Sequence, residues 1–433
     1  MIFLASAFFL IVAFYLSRLF YRKELFNPLV VFFSIWFFAL SLYGAHDILN
    51  LKIFHYSLGT RASILIVASF GFFLLGSLSV AIRSKQHAGM LSLSLKNEQL
   101  SFIYTTTKFI LILFSIAVAI KYAMLVRLYG NPFAHLETVR NDFFNGKLSF
   151  PFYLSVLTTL GYLAILNLGV LIVLRRDPGV IMATLLTFAL VFFNDATIGM
   201  RGGFLNFFVL FLSTVLITNS ARGNRSNLRS LSVFVLACVF FMVVMTVIFY
   251  FRSGGKVTYL EGLLLHNYIY LTGPVPAYGY FLDHPWIGRL LGHHTFLGLY
   301  ELADIFFGAL GVSLLGEADK VTHYALITDR GPFNTAPYLT YFHSDFGTVG
   351  LLAGSFLLGL ISSWLFFNIF TKRRIVDLQF AGVAIAVLML SIRGIYTNGR
   401  SFWVMLFLVT IQHVAFYLLK GYFVLEENNY QRL

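Results

Sequence analysis

Apolar runs of about 20 residues, the length that crosses the hydrocarbon core of a bilayer, recur along the whole chain. Eleven stand out, at roughly 1–17, 28–45, 62–82, 102–122, 152–174, 179–198, 204–220, 231–250, 346–370, 378–395 and 402–420. Lipid offers no partner for a backbone N–H, so each run must satisfy its own amides as a helix. Composition agrees: 59% of the residues are hydrophobic and only 11% charged, with a mean hydropathy of +0.82, outside the range of soluble domains. The expectation is an all-α polytopic membrane protein, one transmembrane domain over 1–433, with about eleven spans and one large external loop.

The formal net charge of +13 suggests nucleic acid until its position is considered. Threading the spans alternately puts 18–27, 83–101, 175–178, 221–230, 371–377 and the tail from 420 on one side. With Lys108 at a span end, that side holds 17 Lys and Arg against 6 acids, leaving 14 against 12 opposite. Short loops rich in Lys and Arg mark the cytoplasm. The basic clusters are therefore topology signals, with the first residue outside, the C-terminal tail cytoplasmic and no nucleic-acid partner. The first apolar run has no basic region before it and no small-residue cleavage site after it, so it reads as a span and not a leader. The single cysteine, Cys238, lies inside the eighth run and permits neither a disulfide nor a thiolate metal site within one chain. No internal repeat of the kind common in transporters is visible.

Two outward loops are long: a minor one at 123–151 and a major one at 251–345. Within the major loop, 258–272 is apolar but too short to span. The segment 295–315 is long enough but contains Glu301 and Asp304. An acid at mid-bilayer costs ~2.5–3.5 kcal/mol, so both segments are expected as short interfacial helices. Were both to cross, the count would be thirteen and the sidedness elsewhere unchanged.

Cations are normally sparse on the outer side, yet Arg140, Arg201, Arg252, Arg289, Arg330, Arg393 and Arg400 all map there. Guanidinium grips phosphate through paired donors, so such a set suits a diphosphate. Each can equally snorkel to the interface or pair with an acid such as Asp195 or Asp345. Six of the 11 histidines, His266, His284, His293, His294, His323 and His343, fall in the major loop, and imidazole is the usual general base near neutral pH. His343 gains from lying beside Asp345, and His293-His294 from following Arg289 and Gly292. No His-x-x-x-His pair with a nearby Glu is present, so no metal is expected. Walker, nucleophile-elbow and dinucleotide motifs are also missing, and no cofactor is expected. The loop tyrosines and Trp286 fit sugar stacking or an interfacial aromatic belt.

The loop closes with Asn334-Thr335, then Tyr341-Phe342-His343-Ser344-Asp345-Phe346-Gly347, with Gly350 entering the next span. With Arg201 after span six, and Arg252, Gly254-Gly255 and Tyr268 to Pro274 after span eight, this layout resembles the Wzy-type O-antigen or oligosaccharide repeat-unit polymerases. The likeness covers most of the chain in plan, through short motifs. It implies a metal-independent glycosyltransferase acting on undecaprenyl-diphosphate-linked oligosaccharides at the outer face of a bacterial inner membrane. Arg201, Arg252, Arg289, Arg330, Arg140 and Asn334 would bind substrate. His343, Asp345, His293 or His294 would orient or deprotonate the attacking hydroxyl. A chain-length regulator and a flippase are the implied partners. O-antigen ligases often carry His-Asn where this chain reads Phe333-Asn334, which weakens the ligase alternative. A flippase or transporter would place charges within its spans, and here they gather in an external loop. A non-catalytic assembly subunit would leave the arginines individually dispensable.

Overall fold

A computed structural model describes residues 2–21, 24, 26–48, 53–84, 97–144, 147–175, 177–198, 202–222, 239, 243, 246, 258, 265, 267–286, 291–308, 315, 325–328, 333–372, 374–394, 397 and 399–430. Among the described residues the protein is helical apart from one isolated antiparallel bridge, Ala325 to Phe333. In chain order the helices are α1 (Ile2–Phe20), α2 (Pro28–Ile48), α3 (Thr60–Ser84), α4 (Asn97–Tyr129), α5 (Leu136–Phe144), α6 (Phe152–Leu174) and α7 (Pro178–Ala196). There follow α8 (Gly202–Ala221), α9 (Asn267–Thr272), α10 (Pro274–Asp283), α11 (Leu297–Gly308), α12 (Tyr338–Lys372), α13 (Ile375–Leu390) and α14 (Arg400–Tyr430).

Among the described residues nine helices are long and apolar enough to cross a membrane: α1–α4, α6–α8, α12 and α14. The protein is thus a polytopic helical membrane protein. Nine of the eleven expected runs coincide with these helices. The run 378–395 holds α13, a shorter apolar helix of 16 residues that rises about 24 Å against a ~30 Å hydrocarbon core. The eighth, 231–250, lies almost wholly outside the described residues. In the segment 295–315, α11 covers Leu297–Gly308, and residues 309–314 lie outside the described residues.

Two loop boundaries also move. α4 continues through Met124 to Tyr129, because those residues are good helix formers and nothing stops the helix before Gly130. Gly130 takes the left-handed conformation at φ 69° and donates its N–H to Val126 O at 2.8 Å, a glycine C-cap. α12 begins at Tyr338, eight residues before the expected run, and is broken at Gly347 (φ 65°, ψ −162°).

The chain forms two compact units, one of Met1–Leu91, Asn224–Thr371 and Val383–Phe402, the other of Ser92–Gly223, Lys372–Gly382 and Trp403–Leu433. In the first, an aromatic core joins α2, α3 and α12. Phe32 stacks on Phe73 with centroids 3.8 Å apart, and Trp36 meets Phe70 and Tyr338 edge-on. The Trp36 Nε1–H donates to Ser391 Oγ at 3.1 Å. α3 and α12 cross where Gly76 and Gly359 each lie against the other helix's backbone, so that a Cβ at either would overlap a carbonyl oxygen. Ser77 Oγ donates to Gly359 O at 3.2 Å across this crossing. Small residues that let backbones approach, with hydroxyls bonding across, are how helices associate where lipid removes the hydrophobic drive.

The second unit packs α6 against α4, α7 and α8. Its interior is tied by amides: Gln379 Nε2 donates to Asn167 Oδ1 at 2.6 Å and to Gln412 Oε1 at 3.3 Å. Lys121, buried on α4, donates to Asn194 Oδ1 at 2.8 Å and lies 4.7 Å over the Phe150 ring. Buried Asp195, whose charge opposes that of Lys121, accepts the Phe204 N–H at 2.5 Å and so fixes the start of α8.

Candidate active site

In the first unit the end of the major loop folds onto the start of α12. The link is Asp345. Its Oδ1 accepts the His294 N–H at 2.9 Å and its Oδ2 the Thr295 N–H at 2.6 Å. Both carboxylate oxygens thus hold the turn at 291–296. A left-handed Gly292 (φ 73°) bends the same turn, and Phe296 N–H closes on Gly292 O at 2.9 Å. From the other side Thr397 Oγ1 donates to Thr295 O at 2.8 Å. The start of α11 then lies so close to the 399–400 backbone that a Cβ on Gly298 would overlap it.

The clamped turn carries His293 and His294, which are 2% and 6% exposed. Their rings stand perpendicular with centroids 4.9 Å apart. Trp286 meets His294 and Tyr341 edge-on, both at 5.1 Å. Arg393, in the turn after α13, lies 5.8 Å from the centre of the Tyr270 ring. Burial pulls its guanidinium below the usual range, and the neighbouring Tyr270 and Tyr341 phenols act the other way.

His343 does not share a face with Asp345. Positions i and i+2 of a helix point apart, so Asp345 reaches the 294–295 backbone while His343 turns to Tyr278 on α10. Those two rings meet edge-on at 6.5 Å. The Asp345 carboxylate thus anchors the 294–295 turn. Tyr278 is fully buried, and burial raises its phenol well above the ordinary tyrosine range. Arg61, in the first turn of α3, is near enough for its charge to act on both Tyr278 and His343. Its importance was not read from the sequence, where it is one cation at the end of a short loop.

The structure therefore brings His293, His294, His343 and Asp345 into one neighbourhood with Trp286, Tyr341, Arg393 and Arg61. Asn334 is exposed, one residue past the Phe333 bridge. Arg140 belongs to the second unit, half-buried on α5. Arg201, Arg252, Arg289 and Arg330, and with them His266 and His323, lie outside the described residues. Among the described residues no three His, Cys, Asp or Glu side chains converge as metal ligands. No protein-family model matches the chain, and no curated protein or solved structure matches it.

Proposed function

We propose that the protein is a membrane glycosyltransferase that polymerises undecaprenyl-diphosphate-linked oligosaccharide repeats into a surface polysaccharide at the outer face of a bacterial inner membrane. The observation that carries this reading is the clamp by which Asp345 holds the turn bearing His293 and His294 beside the end of a span, against Trp286 and Tyr341. A hydroxyl on the terminal sugar of one lipid-linked repeat attacks the anomeric carbon of the growing chain. The glycosidic bond forms as the bond to the lipid diphosphate breaks. The hydroxyl proton passes to an imidazole, with His343, His293 and His294 as candidates, and the electron pair leaves with the diphosphate. Arg201, Arg252, Arg289 and Arg330, proposed from the sequence, would stabilise that leaving group. Arg393 and Arg61 are the cations placed near the histidines.

The test is the gel profile of surface polysaccharide from cells lacking the native copy, complemented at matched expression. A wild-type ladder that collapses to single repeats in His343→Ala, Arg201→Ala and Arg252→Ala supports the polymerase. An unchanged ladder in all three rules the enzyme reading out, and loss of even the single capped repeat on deletion favours a ligase or flippase.

One observation favours a second reading, a carrier for the same lipid-linked sugars. Lys121 and Asp195 are buried within spanning helices, and ionisable groups there mark transport paths by default. Loss of lipid-linked sugar translocation in vesicles carrying Lys121→Met, with the histidine variants still active in translocation, would select it.

A further inference from the structure

A second set of groups around His343 is not used by the clamp. α3 opens with Arg61 and has no acid in its first turn. That runs against the helix macrodipole, whose positive end disfavours a cation. No carboxylate among the described residues pairs with Arg61, and its side chain is exposed. α10 packs against this end of α3, close enough that a Cβ on Gly279 would touch the backbone of Ser57 and Leu58 just before the helix.

Tyr278 lies on α10 beside Gly279, is 0% exposed, and its Oη has no hydrogen-bond partner among the described residues. Thr340, 1% exposed, and His343 Nδ1 are in the same condition, and these two are one helical turn apart on α12. Buried polar atoms are almost always paired with protein or with something bound. Here the Tyr278 and His343 rings meet edge-on at 6.5 Å, Thr340 lies one helical turn from His343, and α10 lies against the residues that lead into the first turn of α3, which bears Arg61. The acids on the same two helices are engaged elsewhere, Asp345 of α12 with the 294–295 amides and Asp283 of α10 with Tyr56.

What such a set recognises follows from its chemistry. Arg61 offers up to five N–H donors and no acceptor, and the Tyr278 and Thr340 hydroxyls can each donate one more. A helix N-terminus adds positive potential. A ligand carrying several acceptor oxygens and negative charge fits, and a neutral sugar ring does not need the cation. Arg61 also begins a spanning helix, the depth at which lipid headgroups lie.

We propose that Arg61, Tyr278, Thr340 and His343 form an oxyanion subsite that binds the phosphate group of a phosphorylated lipid. The subsite rests on the polymerase reading in that the same cluster would hold the lipid-linked diphosphate. It adds residues on α3 and α10 that the loop motifs do not contain.

The experiment uses the full chain in dodecyl maltoside, a phosphate-free detergent, and calorimetric titration with dodecyl diphosphate, inorganic pyrophosphate and dodecanol. Wild type is expected to bind dodecyl diphosphate and not dodecanol. Arg61→Gln and Tyr278→Phe should each weaken binding by about tenfold, the worth of one hydrogen bond to a charged group, and Arg61→Lys should weaken it less than Arg61→Gln. Pyrophosphate binding that falls in parallel assigns the site to the phosphate group alone. Binding of dodecyl diphosphate only assigns it to the lipid headgroup. Unchanged affinity in Arg61→Gln and Tyr278→Phe, or equal binding of dodecanol, overturns the subsite. Tyr278→Phe and Thr340→Val keep the buried shape and decide the question if Arg61→Gln does not fold. A chain that binds through Arg61 yet builds no ladder leaves the subsite standing and removes the polymerase. A ladder unaffected by Arg61→Gln, with unchanged binding, removes the subsite alone.

Discussion

Replacing Asp345 by alanine should release the histidine turn without unfolding the protein. Two backbone N–H groups, those of His294 and Thr295, donate to one carboxylate at 2.9 and 2.6 Å. Hydrogen bonds to a charged group contribute ~1.5–3 kcal/mol each. Asp345 is only half-buried, which places both near the lower end, so the pair stabilises the closed turn by ~3 kcal/mol. Amide exchange at His294 and Thr295, read by mass spectrometry in detergent, should therefore accelerate by roughly 150-fold in Asp345→Ala, since ~1.4 kcal/mol is a factor of ten. Asp345→Asn keeps one acceptor oxygen and should show about tenfold. Amides of α3 and of α12 beyond Gly347 should not change. Thr397→Val, which removes a donor to Thr295 O and touches neither amide, should have the smaller effect at those two positions. Exchange in Asp345→Ala within about twofold of wild type at both amides would refute the clamp, because two such bonds cannot be lost at so small a cost.

Gly359→Ala places a methyl group on the Phe73 carbonyl and should destabilise the first unit by ~1–3 kcal/mol, seen as a lower melting temperature in detergent. Gly347→Ala should cost ~1–3 kcal/mol, because φ 65° with ψ −162° is accessible to glycine alone, and near-wild-type melting would argue against the break. Gln379→Leu leaves Asn167 Oδ1 and Gln412 Oε1 without their shared donor. It should lower the melting temperature by an amount equivalent to ~1–3 kcal/mol, with a smaller loss in Gln379→Asn if a shorter amide still reaches one partner.

The spans were legible because lipid leaves a chain so few ways to satisfy its backbone. Runs such as 62–82 and 152–174 announce α3 and α6 by length and apolarity alone. Their ends were less so. Hydropathy sees Tyr338 to Phe346 as polar loop, but a helix needs only compatible backbone, and nothing in that segment forbids one. Gly347 fell inside the expected run 346–370 and is the break between two helical pieces. The site shows the same limit. That Asp345 and His343 are neighbours in sequence suggested a pair, while helical geometry sends them to opposite partners. Arg61 carried only the signal of a cation on the sparsely charged side. No local pattern ties position 61 to 278 and 343, because the tie is made by α10 packing on α3.

The glycine break divides α12 into a short head bearing Tyr341, His343 and Asp345 and a long shaft anchored at Gly359 and Tyr338's partner Ser355. Head and shaft are nevertheless joined: the Tyr338 hydroxyl of the head meets Ser355 Oγ of the shaft at 3.0 Å, and Phe342 of the head lies against Gly354 so closely that a Cβ there would overlap its ring. The break at Gly347 therefore acts as a hairpin that folds the head back along the shaft, so that a change of lipid that re-tilts the shaft would carry the imidazole with it.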